Sequence, residues 1–517
     1  MDRFWNVELN KYNSKENAKY ETIFTLANGY RGLRGKNNFS KIGEKGNFIA
    51  GIFDQNTAQV TELVNCQDPL VLNFYVDNEL IDIDKCEILD FNRKLNMYEG
   101  VLYSSYKLKL DSNRIVQIDC ERFVSRKNVH RWAEKYTLRP VNFKSKMFIE
   151  NIIDGTVVNS CNDPINLTKH FNVIDKLDLK PGLALLTKTI DKGIYIVEST
   201  RIYADDLFKT RKFIELGEKV REVYEFFVEE GEEYTIYKYG CTYTSKDTKE
   251  DIVSVCKSEL KDFQTIGYDK EKEQHLQEWK KLWNSMDIRI KGDDIAQVGI
   301  RFNMFQLASC AYEKDYTVSI GAKGLHGEGY KGHVFWDTEI FMIPFFTYTN
   351  PEIAKALLMY RYNTLCGARK NASLNGFKGS QFPWESADDG TEVTPKWGVD
   401  YDGNPVRIWT GDEEYHINAD IAFAIWEYFR ATKDEEFLIN YGSEIVLDTA
   451  KFWNSRLEYN QKYDRYEINK VIGPDEFHEH VNNNVYTNYL AKWNMNKAIE
   501  ISRWLKEKDF VKFKNLC

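Results

Sequence analysis

Residues 224–244 read YEFFVEEGEEYTIYKYGCTYT, and residues 269–294 read DKEKEQHLQEWKKLWNSMDIRIKGDD. The first stretch alternates β-branched and aromatic residues with polar ones and is broken once at Glu230-Gly231, the pattern of half-buried strands. The second is charged, and its bulky positions recur at helical spacing. The change of period between them divides the chain. Upstream, the short alternating runs FIAGIF (48–53), LVLNFYVDNEL (70–80), VLYSSYKLKL (101–110), RIVQIDCERFVS (114–125), SKMFIENIIDG (145–155) and GIYIVEST (193–200) repeat the first texture. They predict an antiparallel β-sandwich over residues 1–265, followed by a helical linker over 266–291. Downstream, 3.6-residue periodicity marks 293–313, 336–349, 351–372, 417–432, 435–459 and 485–507. About six helices, joined by long loops rich in Gly, Asp and Trp, are therefore expected over 292–517. The fold class is multidomain β plus α.

Composition narrows the function classes. A chain of 517 residues exceeds what one core organises, and 43% hydrophobic with 29% charged residues is ordinary for a globular protein. The aromatic share, 14%, is high. It supplies core, and it also supplies flat platforms for the apolar faces of sugar rings. A net charge of −9 without a long Lys/Arg run argues against nucleic acid and anionic membrane as partners. No apolar stretch approaches a signal peptide at the start or a membrane span elsewhere, so the cytoplasm is the expected location. Nine scattered cysteines (66, 86, 120, 161, 241, 256, 310, 366 and 517) lack a CxxC spacing and suggest buried thiols rather than disulfides or zinc.

The unusual residues concentrate in the loops between the predicted helices. In Gly473-Pro474-Asp475-Glu476-Phe477-His478-Glu479-His480 the Gly-Pro pair stops the preceding segment and presents the carboxylates on a loop ahead of a new helix. A carboxyl flanked by Pro474 and Phe477 would be desolvated and held protonated, as a general acid requires. A helix-capping loop closed by Asn484 explains the same residues equally well. A metal site is disfavoured, because the i, i+4 spacing of HExxH is missing. The second cluster, Gly332-His333-Val334-Phe335-Trp336-Asp337-Thr338-Glu339, sets a Trp and a carboxylate at the mouth of a helix, suited to stacking a sugar and bonding its hydroxyls. Read as scaffold alone, Trp336 is core and Asp337 an N-terminal dipole partner. Residues 327–332 match GxGxxG literally, but no βαβ unit follows. The loops 381–386, with Trp384 and Glu385, and 411–416, with His416, repeat the aromatic-plus-carboxylate theme.

The blocks LANGYRGLRG (26–35), GHVFWDTEIF (332–341), FPWESA (382–387), HINADIAFAIWEY (416–428) and GPDEFHEHVNNNVYTN (473–488) resemble, over essentially the whole chain, glycoside hydrolase family 65. These are the inverting maltose, kojibiose, nigerose and trehalose phosphorylases. The resemblance implies an N-terminal β-sandwich, a helical linker, an (α/α)6 barrel and a small C-terminal β domain. It implies Glu476 as proton donor, Trp336 and Asp337 as glucose-binding residues, and Trp384, Glu385 and His416 in loops lining the pocket. Inorganic phosphate would be co-substrate, with no cofactor or metal, and a homodimer is implied. The expected reaction is phosphorolysis of an α-linked glucose disaccharide to β-glucose 1-phosphate and glucose. A hydrolase of the same fold and a non-catalytic sugar-binding protein are the alternatives. Because about six helices are read where such a barrel has twelve, a member truncated at its C-terminus is expected, with half the barrel and the family's phosphate loop lying beyond Cys517.

Overall fold

The computed structural model describes residues 3–160, 167–400 and 402–516, and Cys161 and Cys517 lie outside them. It divides into two compact units. One comprises Met1–Asn56, Val64–Ala311 and Gly324–Glu328, the other Thr57–Leu63, Tyr312–Lys323 and Gly329–Cys517.

The first unit is built on two antiparallel sheets. Nine strands run in the order Asn6–Leu9, Glu87–Asn96, Val101–Lys109, Ile115–Val124, Arg131–Pro140, Tyr234–Thr244, Tyr195–Tyr203, Leu183–Thr189 and Phe171–Asp178. Five more run Thr210–Leu216, Lys219–Val228, Ser145–Asp154, Asp68–Val76 and Glu79–Leu80. Alternate residues of each sheet, among them Leu72, Phe74, Val76, Tyr106, Leu108, Ile118 and Ile149, meet in one buried core. The period-2 pattern thus translates directly into a sandwich. The stretch 224–244 proves to be a corner rather than a hairpin, since its two strands belong to different sheets. Gly240 lies under its cross-strand partner Trp132, whose ring atoms would stand 1.9 Å from an added Cβ. Only glycine admits that indole.

The helical stretch begins earlier than residue 266 and does more than link. Asp251 caps the helix Ile252–Ile266 by accepting from Ser254 N–H at 3.0 Å. Ile252, Cys256, Leu260 and Phe263 then pack on Val101, Phe123, Tyr239 and Cys241, covering the outer face of the larger sheet. The following helix, Tyr268–Met286, is equally anchored: Trp283 donates its indole N–H to the Met97 carbonyl at 3.0 Å. Helix Asp294–Ser309 completes this unit.

In the second unit the helix Ile417–Thr432 is central, in contact with Ile343–Thr349, Pro351–Asn363, Ser443–Arg456 and Val485–Lys508. It buries Ile417, Ala419, Ile421, Ala422, Ala424 and Ile425 on nearly all sides. Two periodic runs read as single helices are interrupted. Residues 336–349 open with a π-helical turn, Thr338–Met342, before Ile343–Thr349, whose second residue is Pro344. The wider turn absorbs a proline that cannot donate to a carbonyl four residues back. Residues 351–372 split at Thr364, and Gly367 beyond it packs so closely that an added Cβ would stand 2.1 Å from the Asp389 carbonyl. All seven described cysteines are free thiols, five of them buried and Cys366 exposed.

Candidate functional site

Four loops of the second unit converge at the N-terminus of helix Ile417–Thr432. The loop carrying Trp336 is tied to the one carrying Trp384 by an isolated antiparallel bridge, with Val334 N–H donating to Ser386 O at 2.9 Å and Ser386 N–H returning to Val334 O at 3.0 Å. Tyr360, from helix Pro351–Asn363, donates its hydroxyl to Ser386 Oγ and the Ala387 carbonyl. Phe382 N–H donates to Asn418 Oδ1 at 2.7 Å, tying the second loop to the central helix. Gly332 opens the first loop with φ +73, and Leu63 Cβ lies 2.4 Å from where its own Cβ would be, so the turn tolerates no side chain.

The candidate residues meet here. The Trp336 ring stands 4.8 Å from His416 and 6.5 Å from Trp384, centroid to centroid, and remains partly exposed. Trp384 is buried, edge-on to Phe335 and His416, so it forms a wall behind the open ring rather than a second platform. Asp337 makes no capping bond at the helical turn that follows it and keeps partial exposure. It still stands at the N-terminal end of that turn, so the helix-end and sugar-facing readings of its charge are compatible. Glu385 lies 2.6 Å from His333 Nδ1, whose Nε2 meets the Thr61 carbonyl at 2.6 Å. The Trp384 and Glu385 amides point to Glu392, whose carboxyl burial pushes up to about 7.

His416 is fully buried between two carboxylates, with Nδ1 at 2.6 Å from Asp420 and Nε2 at 3.1 Å from Glu414. Tyr486 donates to the other oxygen of Asp420 at 2.9 Å. Burial opposes the imidazolium, but Asp420 and Glu414 outweigh it and raise His416 to about 9. Burial also raises Glu414, to about 7, with the nearby charge of Glu476 adding to it. Both imidazole nitrogens are engaged, so His416 braces the carboxylates and has no N–H left for a ligand. The raised value stabilises the fold below the unfolded pKa of 6.5, and that contribution is lost as pH rises through about 9. Thermal midpoints are therefore expected to fall from pH 6.5 to 9, with a shallower slope in His416→Gln. An unchanged slope in that variant would refute the assignment.

Glu476 lies midway along an exposed loop, 473–480, closed at its base by the bridge Val471–Val481. Its carboxyl is raised above the usual range by partial desolvation and then by the negative charges of Glu385 and Asp337, with His416 opposing. The direction agrees with an acid and desolvation is the largest cause, as expected, but the residues expected to supply it do not. Pro474 and Phe477 are exposed, Phe477 by 99%, and shield nothing. Asn484 does cap the helix Val485–Lys508, accepting from Thr487 N–H at 3.1 Å, so the capping and carboxylate-presenting readings of this motif both hold. His478 bonds Asp475 and His480 bonds Glu413. Among the described residues no group of three or more His, Cys, Asp or Glu side chains is arranged to hold a metal, and no helix is long and apolar enough to cross a membrane.

Sequence reading did not single out Asp420, Tyr486 or Glu392, and it took His333 and Glu414 only as members of their loops. Asp420 had a signal, since it stands one turn after His416 on the same helical face. Tyr486 and Glu392 had none, because only tertiary folding brings them in.

Two family models match the chain: the glycosyl hydrolase family 65 N-terminal domain over residues 7–282 and the family's central catalytic domain over 301–515. Kojibiose phosphorylases of Caldanaerobacter subterraneus subsp. tengcongensis and Thermoanaerobacter brockii are 53% and 52% identical, each alignment covering 98% of this chain and 67% of the relative. The α,α-trehalose phosphorylase of T. brockii is 34% identical over 99% of this chain and 68% of its own. A solved structure from the human microbiome, 24% identical, matches with a TM-score of 0.87 over 100% of this chain and 70% of that one, a likeness of fold.

Proposed function

The chain belongs to glycoside hydrolase family 65, and on that premise we propose that it catalyses phosphorolysis of an α-linked glucose disaccharide of the kojibiose type, with inversion, to β-glucose 1-phosphate and glucose. The observation that carries this reading is a carboxyl, Glu476, raised towards its protonated form by partial desolvation and then by the charges of Glu385 and Asp337, the second of which adjoins the partly exposed indole of Trp336. Glu476 gives its proton to the glycosidic oxygen. A phosphate oxygen attacks C1 from the opposite face, the C1–O bond breaks, and the departing glucose keeps the proton. Phosphate is already an anion and needs no second carboxylate as base. It enters as co-substrate, with no cofactor.

Trp336 offers its ring face to the transferred glucose, while Asp337 and Glu385 accept from its hydroxyls. Trp384 and His416 form the wall and the brace behind them. We assign the helices within 301–515 to part of an (α/α)6 barrel, a reading that the match to the family's catalytic domain supports. The free thiols favour a reducing compartment, the cytoplasm. Kojibiose is preferred over maltose, nigerose and trehalose because relatives at 53% and 52% identity carry that name, whereas the trehalose phosphorylase stands at 34%.

Incubation with each of the four disaccharides, with and without phosphate, tests the proposal. Glucose 1-phosphate is expected from kojibiose only when phosphate is present. Release of free glucose without phosphate would favour the hydrolase reading, and no turnover of any sugar would favour a binding protein.

A further inference from the structure

The loop bearing Glu476 is exposed from Pro474 to His480, so packing alone does not fix it. Both of its ends are tied to one residue outside the loop, Glu413, one through that residue's backbone and the other through its carboxylate. Glu413 accepts from the Ile472 amide through its backbone carbonyl at 3.1 Å. Its carboxylate accepts from the His480 amide at 3.2 Å and lies 2.7 Å from His480 Nδ1. Ile472 precedes Glu476 by four residues and His480 follows it by four, so Glu413 holds the loop symmetrically about the carboxyl. Glu413 itself is 97% buried, since 3% of it is exposed, and Lys470 Nζ stands 3.5 Å from its carboxylate. His480 takes a left-handed backbone, φ 57, which aims its amide and ring at the same carboxylate.

Two further features make this anchor decisive. Beside it opens a cavity of about 740 Å³ lined by Trp409, Asp412, Glu413, Tyr415, Arg456 and Lys470. The next residue in the chain, Glu414, carries the carboxyl that faces Glu476 and brackets His416. One dipeptide therefore joins the loop to the buried network.

We propose that Glu413 is a positioning residue whose carboxylate, by holding the His480 amide and ring, keeps Glu476 in line with the glycosidic oxygen, while its backbone carbonyl holds Ile472 in wild type and variants alike. The proposal rests on the reading of Glu476 as general acid. Misplacing a catalytic group by about 1 Å costs on the order of 10²-fold in rate. The loss should fall on proton delivery and spare binding, because Glu413 lies outside the Trp336 and Glu385 loops.

The test compares Glu413→Ala, Glu413→Gln, His480→Asn and Glu476→Gln on two substrates with phosphate: kojibiose, whose leaving group needs a proton, and α-glucosyl fluoride, whose fluoride leaves without one. Asn tolerates the left-handed backbone and so removes only the ring contact. Expected is a roughly 10²-fold fall in kcat on kojibiose for Glu413→Ala with KM little changed, a smaller fall for Glu413→Gln and His480→Asn, and near wild-type rates on the fluoride. An equal loss on both substrates would mean general destabilisation and overturn the proposal, as would no loss on either. If Glu476→Gln discriminates between the substrates and Glu413→Ala does not, only the positioning role falls. If Glu476→Gln itself fails to discriminate, the acid assignment falls and takes this proposal with it.

Discussion

Glu476→Gln is expected to lower kcat for phosphorolysis of kojibiose by about 10²- to 10⁴-fold, the range that a general acid contributes, while KM changes little. Gln matches Glu in size and keeps its hydrogen-bonding capacity, so the change removes the proton and nearly nothing else. The environment supports so large an effect. Partial desolvation together with the charges of Glu385 and Asp337 holds the carboxyl above its usual range, which keeps a larger protonated fraction near neutrality. The pH dependence follows in sign. Activity should decline on the alkaline side as Glu476 ionises, and Glu385→Gln, by removing one of the charges that raise it, should move that decline to lower pH. Steady-state kinetics across pH with saturating phosphate make the measurement. A variant retaining a tenth or more of wild-type kcat would rule out Glu476 as the acid.

How much of this was written in the sequence depends on the range over which each feature is determined. Strand alternation is a two-residue property, and it located both sheets, because Leu72, Phe74 and Val76 need only point one way. Sheet membership is not local, and nothing within 224–244 indicates that its two strands part into different sheets. The same division holds at the site. Trp336, Asp337, Trp384, Glu385, His416 and Glu476 stood out as candidates because each sits in a loop where an aromatic ring or a Gly-Pro pair adjoins a carboxylate. Which of them faces the open space was not legible: Trp336 and Trp384 look alike in sequence, yet burial leaves only the first accessible. The source of the raised Glu476 was misjudged for a related reason. Chain neighbours suggested shielding by Phe477, whereas Phe477 stands exposed, and to the partial desolvation are added the charges of carboxylates 91 and 139 residues away in sequence. Glu413 was visible only as one carboxylate of the 411–416 loop, since its partners Ile472 and His480 join it only through the fold.

Arg361→Met is expected to destabilise the protein by about 3–5 kcal/mol, the cost of leaving one partner of a buried ion pair uncompensated. Arg361 and Glu339 are both inaccessible to solvent and form a two-pronged pair, Nε to Oε1 at 2.7 Å and Nη2 to Oε2 at 2.9 Å. Burial drives the Glu339 carboxyl up and the Arg361 charge restrains it, so without the guanidinium the carboxyl must either stay charged in an apolar setting or take up a proton at neutral pH. Either alternative weakens the fold. The pair also reaches the site, because Arg361 Nη2 donates to the Phe335 carbonyl at 3.3 Å, one residue before Trp336, and Glu339 lies in the π-helical turn just after Asp337. Loss of stability and loss of glucose binding should therefore appear together, the second as a raised KM. Met fills most of the volume of Arg without its charge, which separates the electrostatic effect from a cavity. The double variant Arg361→Met, Glu339→Leu removes both charges and should recover much of the stability, because a hydrophobic pair of similar volume replaces an ion pair at little net cost. Urea unfolding of the wild type, the two single variants and the double variant yields the coupling energy directly. A single-variant loss below about 1 kcal/mol, within the range of exposed pairs, would show that the pair does not brace the turn, and the KM of Arg361→Met should then match the wild type.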